Sequence, residues 1–389
     1  MKPRQNIVLV TGRWRKDHQT IYPAQKLLTI LKTHANSITW IATKEGGFHY
    51  HEDNVHIIGV PDRLVQEPFY MNLFYYVLHQ IRVASLLIDT GRDPVIFAFG
   101  SDLFILPIIF GKIMGKEVIL RTDGRPSTLL RTYKNRTTPL KERLFETIEW
   151  ITYATVNLIV PESLNMVWHY SFEKYQRKIE IGSLYVNSDL FNKFKILKER
   201  RFQIGFVGRL SEEKGILQFA KFLSENLLDS GLNAVIIGDG PLKLEMDQIL
   251  LDSGIQNQVV YMGRVDNRDL PQYLNEIRVV VVPSAFEGLP NIVLESMACG
   301  CVVLATPVGG IPDLIHDGIT GFLLEDQSPE AIARGIFRAC THDDCDKIAE
   351  SARRMIEQNY TLSAAVERYG RIFRNTTLLV KSRPEQALK

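Results

Sequence analysis

Two glutamates, Glu287 and Glu295, stand with seven residues between them in P-S-A-F-E-G-L-P-N-I-V-L-E-S-M-A. Pro290 sits where a first-turn proline belongs, so the spacing predicts a helix from about Pro290 to Ala298. At roughly 3.6 residues per turn, Glu295 lies about one turn past Asn291. The N–H groups of Gly288, Leu289, Asn291, Ile292 and Val293 fall between the two carboxylates, at the positive end of that helix. Such amides and the helix dipole favour an anion, typically a phosphate. A carboxylate on each side would repel the phosphate itself but would accept hydroxyls flanking it. A sugar–diphosphate–ribose has that layout. Two solvated glutamates near a helix start remain the other reading.

A second constellation is Gly208-Arg209-Leu-Ser-Glu-Glu-Lys214-Gly215. Arginine as a fork and lysine as a point charge, beside a glycine turn, suit a diphosphate; surface charges at a helix start would look the same. Gly238 and Gly240, in G-D-G-P, form a turn that lets backbone approach a nucleotide. Arg264 follows the next apolar run, in a loop read as lying beside the nucleotide. In the first half, Asp123 ends an apolar run within Arg121-Thr-Asp-Gly-Arg125. It is read either as a group orienting an acceptor hydroxyl or as a cap of the next turn. Gly12 follows the first apolar run and precedes Arg13, Arg15 and Lys16. A single glycine is a weak phosphate-loop signal, and these cations read equally as a solvated basic loop.

The elements that must position these groups alternate strand and helix. Strands are expected at Ile7–Val10, Ser37–Ala42, Val55–Val60, Pro94–Phe99, Glu117–Leu120 and Thr155–Val160. A second series is expected at Phe202–Val207, Asn233–Ile237, Val259–Met262, Val279–Val282 and Cys301–Ala305. Helices are expected at Tyr22–Thr33 and Met71–Ile88, from about Lys214, and at Lys347–Glu357 and Ser363–Phe373. This is the pattern of doubly wound α/β sheets, whose ligands sit at the carboxyl ends of the strands. The apolar run Met71–Ile88 is read as core, with a membrane-facing helix as the alternative.

A length of 389 residues makes two domains the natural expectation. The net charge of +2 argues against nucleic acid as a partner. Residues 1–187 hold 23 basic and 17 acidic residues, and the remainder 23 and 27. The excess gathers between Lys112 and Arg143, where nine cations (112, 116, 121, 125, 131, 134, 136, 141 and 143) face Glu117, Asp123 and Glu142. That stretch is read as a solvated charged region, or as a surface for a phosphate-bearing acceptor or an anionic membrane. Cys299, Cys301, Cys340 and Cys345 have neither a disulfide framework nor zinc spacing, which suits a reducing compartment. No signal peptide and no membrane-spanning stretch is evident.

The string Glu287, seven residues, Glu295, with G-L-P-N between, then G-G-I-P-D and D-G-I-T-G-F-L, resembles the donor-site signature of retaining glycosyltransferases of family 4. The resemblance is dense over about 200–325 and weak before about 180. Ile181 to Phe191 also resembles that family's crossing segment, which makes Lys193–Arg201 a linker. The resemblance implies a GT-B fold of two Rossmann-like domains facing a cleft. It divides the chain into an acceptor domain (1–192), a nucleotide-sugar domain (200–358) and a helix crossing back with a tail (359–389). It implies that Glu295 holds the ribose, that Glu287 holds hydroxyls of the transferred sugar, and that the amides near Asn291–Val293 hold the diphosphate. Arg209 and Lys214 would stabilise the leaving group, with no cofactor and no essential metal. The implied donor is a UDP- or GDP-sugar and the acceptor a hydroxyl of a glycan or lipid-linked molecule. The implied setting is cytoplasmic, at the inner face of the cell membrane. Two positions depart from the family: Asp123 stands where many members have histidine, and Gly12 is one glycine where a pair is common. A nucleotide-sugar epimerase, a phosphorylase-like enzyme and a non-catalytic nucleotide-sugar-binding subunit are the alternatives.

Overall fold

The computed structural model describes residues 5–13, 21–44, 48–61, 69–91, 95–100, 102–132, 138–228 and 231–381. The first half builds one sheet from β1 (Gln5–Arg13), β2 (Ala35–Lys44), β3 (Phe48–Glu52), β4 (Val55–Pro61), β5 (Val95–Phe99), β6 (Val118–Thr122) and β7 (Leu158–Pro161). Its helices are α1 (Ile21–Lys32), α2 (Phe69–Leu86), α3 (Ile105–Ile113), α4 (Pro126–Thr132), α5 (Pro139–Thr155) and α6 (Leu164–His169). The second half builds another sheet from β8 (Phe202–Val207), β9 (Ala234–Ile237), β10 (Val259–Gly263), β11 (Ile277–Val282), β12 (Val302–Ala305) and β13 (Phe322–Leu323). Around it lie α7 (Ile216–Asn226), α8 (Lys243–Asp252), α9 (Leu270–Leu274), α10 (Asn291–Ala298), α11 (Pro329–Thr341) and α12 (Cys345–Asn359), and α13 (Leu362–Lys381) ends the described chain.

The strand orders are β3-β4-β2-β1-β5-β6-β7 and β10-β9-β8-β11-β12-β13. All pairs are parallel except β3 with β4. Leaving out β3, each sheet runs third, second, first, fourth, fifth, sixth, the doubly wound order of a dinucleotide-binding fold. Helices cover both faces, which is why these strands read as continuous apolar runs rather than alternating ones. Chain direction reverses outward at β1/β5 in one sheet and at β8/β11 in the other. Those two switch points place Thr11, Phe99 and Gly100 opposite Val207, Gly208, Val282 and Ser284 across one shared cleft of about 1520 Å³.

Helix α13 returns from the second half to the first. Its Ala365, Tyr369, Ile372 and Phe373 are buried in the core formed by α1 and the first sheet. The Tyr369 hydroxyl donates to Gly182 O at 2.8 Å, and Val186 N donates to Tyr360 O at 2.8 Å. Both bonds tie the returning chain to the segment by which the chain first crossed over.

Several expectations need correction. Strand β3 was not foreseen: F-H-Y-H-E is an exposed edge strand whose ring-stacked His51 and His56 face each other across the pair. The charged run Lys193–Arg201 links the two sheets and is packed against the second. Leu197 joins the second core, and buried Arg200 donates to the carbonyls of Leu274, Ile277 and Cys299 at 3.2, 2.8 and 2.7 Å. Core packing explains only one side of α2: Val83 and Ala84 are buried, whereas Phe74, Val77 and Ile81 are exposed.

The basic stretch is largely taken up inside the domain. Lys112 donates to Asn157, Lys116 to Thr90 and Gly91, Arg125 to Glu149 and Arg131 to Glu146, and Arg121 is fully buried. Lys134 and Arg136 lie outside the described residues. Among the described residues no helix is long and apolar enough to cross a membrane.

Candidate functional site

The second sheet's wall is assembled from four loops that leave the carboxyl ends of β8, β9, β10 and β11. Their backbones cross-bond: Gly208 N to Ile237 O at 2.9 Å, Gly238 N to Gly263 O at 2.7 Å and Leu210 N to Asp239 O at 3.0 Å. Gly238 has φ +135°, and a Cβ there would collide with the carbonyl oxygen of Gly208. A Gly238→Ala variant should therefore lose about 1–3 kcal/mol of stability and any nucleotide-induced rise in melting temperature. Melting curves with and without nucleotide check both. Gly208, Gly238, Gly240, Arg209 and Arg264 all line the cleft.

Lys214 is aimed by its neighbour. The sequence predicts a helix from about Lys214, but Glu212–Lys214 form a 3-10 turn and α7 starts only at Ile216. Between them Gly215 takes φ +72°, packed where a Cβ would strike the carbonyl of Pro283. That left-handed step, open to glycine at little cost, brings Lys214 Nζ to 2.7 Å from Glu287 Oε1. Ser284 Oγ donates to the same oxygen at 2.7 Å. Glu287 itself is 5 % exposed, on the loop between β11 and α10.

Helix α10 begins one residue later than expected, with Pro290 as its N-cap. The Pro290 carbonyl then accepts the Val293 N–H at 3.1 Å, and the Val293 side chain is wholly buried in the core. Val293 therefore does not offer its amide to the cleft. Leu289 N is also engaged, donating to Glu162 Oε2 at 2.7 Å. The cleft-lining residues of this segment whose amides remain are Gly288, Asn291 and Ile292. Glu295 is 3 % exposed, and its Oε1 carries no hydrogen bond. Burial pushes its carboxyl up to about 7, against the pull of Lys26 and Asn267.

The opposite wall comes from the first sheet. Asp123 follows β6 and lines the cleft with an exposed side chain, as its place at a strand's carboxyl end predicts. Its backbone carbonyl lies so close to Gly288 that a Cβ on that glycine would sit 2.7 Å from it. Gly12 falls inside β1, at a break in the pairing with β2 between Thr11 and Arg13, so the strand runs past the point where a loop was expected. Parallel pairing with the long β2 carries it there. The burial and contacts of Gly12, the side chain of Arg13, and Arg15 and Lys16 altogether lie outside the described residues.

Residues 188–361 match the family model for glycosyl transferases group 1. The second domain belongs to the group 1 glycosyltransferases. An alpha-D-kanosaminyltransferase of Streptomyces kanamyceticus is 28 % identical over 176 residues, 44 % of this chain and 45 % of its own. A lipopolysaccharide 1,2-N-acetylglucosaminetransferase of Salmonella typhimurium is 29 % identical over 180 residues, 44 % of this chain and 47 % of its own. The chain spans 34 to 49 % of the length of the first curated relatives it matches. Over the whole fold, the Anabaena protein HepE, solved in complex with UDP, superposes with a TM-score of 0.71 at 15 % identity, covering 95 % of this chain and 100 % of that one. That likeness shows the fold, which is GT-B.

Four residues of the first domain reach the group 1 domain's loops, and sequence reasoning did not single them out as site residues. Lys26 Nζ donates to Asn291 Oδ1 at 2.8 Å. Glu162, at the end of β7, takes the Leu289 amide while its other oxygen pairs with Arg121. The Tyr170 hydroxyl donates to Glu287 O at 2.5 Å, and its ring packs 5.4 Å from that of Phe286. Asn165 donates through Nδ2 to Gly309 O at 2.6 Å and through N to Asp313 Oδ2 at 2.7 Å. The one available sequence signal was position: Glu162 and Arg121, like Asp123, stand at carboxyl ends of strands, where cleft residues gather.

Proposed function

We propose that the chain is a retaining glycosyltransferase. It would move a sugar from a nucleotide-diphospho-sugar, a UDP- or GDP-sugar, to a hydroxyl of a glycan or lipid-linked acceptor without an essential metal. The observation that carries this reading is the convergence of Arg209, Lys214, Glu287 and Glu295 on one cleft, with Asp123 on the facing wall. Group 1 membership of the second domain supports the class, and the relatives named above are themselves glycosyltransferases.

In this reading Glu295 accepts the ribose hydroxyls and the amides of Asn291 and Ile292 meet the diphosphate. Lys214 and Arg209 neutralise the charge that grows on the departing phosphate, the work a metal does elsewhere. Glu287, held by Ser284 and Lys214, accepts hydroxyls of the sugar. The bond from the anomeric carbon to the diphosphate oxygen breaks, and the acceptor oxygen bonds that carbon on the same face. The acceptor's proton passes to the leaving phosphate oxygen. Asp123 orients the acceptor hydroxyl, and the protein acts chiefly by positioning. For a lipid-linked acceptor at the inner membrane face, one exposed surface of the basic stretch is the outer side of α5. There Leu140, Leu144 and Trp150 are exposed beside Lys141 and Arg143.

The test is melting of the protein with UDP-, GDP- and ADP-sugars and their nucleotides. One nucleotide class should raise the melting temperature, because a ligand of the folded state alone stabilises it. With that donor and an accepted sugar, nucleotide release should persist in EDTA and the product should keep the donor's anomeric configuration. No thermal shift from any donor, in folded protein, would overturn the donor reading. An inverted product would overturn retention.

A further inference from the structure

Lys26 is a first-domain lysine built into the second domain's site. It lies on α1 and is 3 % exposed, one of the most deeply buried cations of the chain. Its ammonium sits 2.8 Å from Asn291 Oδ1 and 3.7 Å from Glu295 Oε1. The Tyr22 ring centroid is 4.3 Å away and that of Tyr185 5.9 Å, so two aromatic rings also flank the charge. Tyr22, Pro23 and Gln25, from the same end of α1, line the cleft beside Glu295. A buried lysine is expensive unless it is paired. Here its partners are two residues that the donor reading assigns to the nucleotide.

We infer that Lys26 is the positioning residue of the ribose subsite, holding Glu295 as a carboxylate and fixing Asn291 from across the domain boundary. The inference rests on the proposed donor site and deepens it: the second domain's recognition of ribose is completed by the first domain. The chemistry follows from hydrogen-bond capacity. An ionised carboxylate accepts from two hydroxyls at once, whereas a carboxylic acid uses one oxygen as a donor. A ribose 2′,3′-diol offers two donors. Burial favours the protonated form of Glu295, Lys26 and Asn267 pull against it, and its Oε1 has no protein atom within hydrogen-bond distance. Lys26 is the cation that opposes that protonation.

The electrostatic surroundings are mixed. Burial draws the Lys26 ammonium down, Glu295 and Glu162 hold it up, and Arg121 lowers it further. Tyr22 on α1 is raised by burial and by Glu295, and Tyr185 adds to that shift. Cys299, at the far end of α10, is a thiol raised by burial and remains neutral. Lys26 is the charged group that most lowers the Glu295 carboxyl.

The experiment is calorimetric binding of UDP, GDP and ADP and of their 2′-deoxy counterparts, from pH 6 to 9. It uses the full chain and its Lys26→Met, Lys26→Gln, Lys26→Arg and Glu295→Ala variants, with circular dichroism to confirm folding. The wild-type chain should prefer the ribonucleotide by roughly tenfold, the scale of a hydrogen bond to a charged group. Its binding should strengthen as pH rises through the raised Glu295 range. Lys26→Met should lose most of that preference and shift the pH midpoint upward by about one unit. Lys26→Arg should restore both. Lys26→Gln keeps a donor for Asn291 without the charge, so it should reproduce the pH shift, and it carries the test if Lys26→Met does not fold.

A folded Lys26→Met or Lys26→Gln with wild-type ribose preference and pH midpoint would overturn the inference. The donor reading fails separately. If Glu295→Ala leaves affinity and ribose preference unchanged, or if none of the six nucleotides binds, the fault lies with that reading. If Glu295→Ala erases the preference and the Lys26 variants do not, only the role of Lys26 falls.

Discussion

Lys214→Ala should lower turnover by about 10²–10³-fold, the scale of losing one preorganised group that meets transition-state charge. The lysine stands at the mouth of a 3-10 turn, and its ammonium touches Glu287 Oε1 at 2.7 Å. Its side chain is 30 % exposed while that of Glu287 is 6 %. The two groups form an ion pair. A donor diphosphate would present a stronger anion to the same ammonium and leave Glu287 free to accept a sugar hydroxyl. In the proposed reaction the pair would separate as the donor binds.

Alanine at 214 removes the cation without entering the core, and Ser284 still donates to Glu287. Folding should survive, with a melting temperature within a few degrees of the wild type. The Michaelis constant should change far less than turnover, because the lysine acts on charge that grows during bond breaking. Steady-state assays of donor turnover, with circular dichroism as the folding control, check this. Turnover within threefold of the wild type would remove Lys214 from the leaving-group site.

How much of this was legible in the sequence depended on distance along the chain. The strands of the second sheet were legible where they are buried on both faces. Val279–Val282 and Val302–Ala305 are wholly buried and read as apolar runs. Glu287 and Glu295 were legible because they lie on a loop and on the helix that follows it, within one strand–helix unit. Strand β3 was not, because histidine and tyrosine at an exposed edge give no apolar period. The two-residue β13 is too short to show one. The order of strands in each sheet is a tertiary fact and had no local signature.

The cross-domain contacts were out of reach for the same reason. Lys26 and Asn291 are 265 residues apart, Leu289 and Glu162 127, and Tyr170 and Glu287 117. A lone lysine on a helix and a lone glutamate before one look solvated in a sequence, and only folding of both domains buries them together. Arg121 makes the point most sharply. In the sequence it falls within a basic stretch open to a surface reading, yet it is 1 % exposed and lies 4.6 Å from the Phe99 ring centroid. Strand position, not local charge density, was the better guide to it.

Glu162→Ala should destabilise the chain by about 3–5 kcal/mol, the usual consequence of stranding one member of a buried ion pair. Glu162 is 8 % exposed and holds two partners from two directions. One oxygen pairs with Arg121, and the other accepts the Leu289 amide of the facing domain at 2.7 Å. Arg121 also donates from Nε to the Tyr369 hydroxyl at 3.1 Å, so the pair ties β6, β7, α13 and the loop before α10 into one joint. Removing the carboxylate leaves a buried guanidinium without its counter-ion and a buried amide without an acceptor, and each adds to the loss.

For a domain of this size the loss should appear as a melting-temperature drop of about 10 °C. Glu162→Gln still accepts from the Leu289 amide and should fall between. A double variant, Arg121→Met with Glu162→Leu, removes the stranded charge and should recover much of the stability, because apolar groups can replace a buried pair at little cost. It should not recover activity if the joint also holds the Gly288–Pro290 loop against the first domain. A Glu162→Ala protein that melts with the wild type would mean that water or a neighbouring group replaces the carboxylate, and the joint would not hold the two domains together. A double variant that is stable and fully active would confine the pair to stability and free the loop from it.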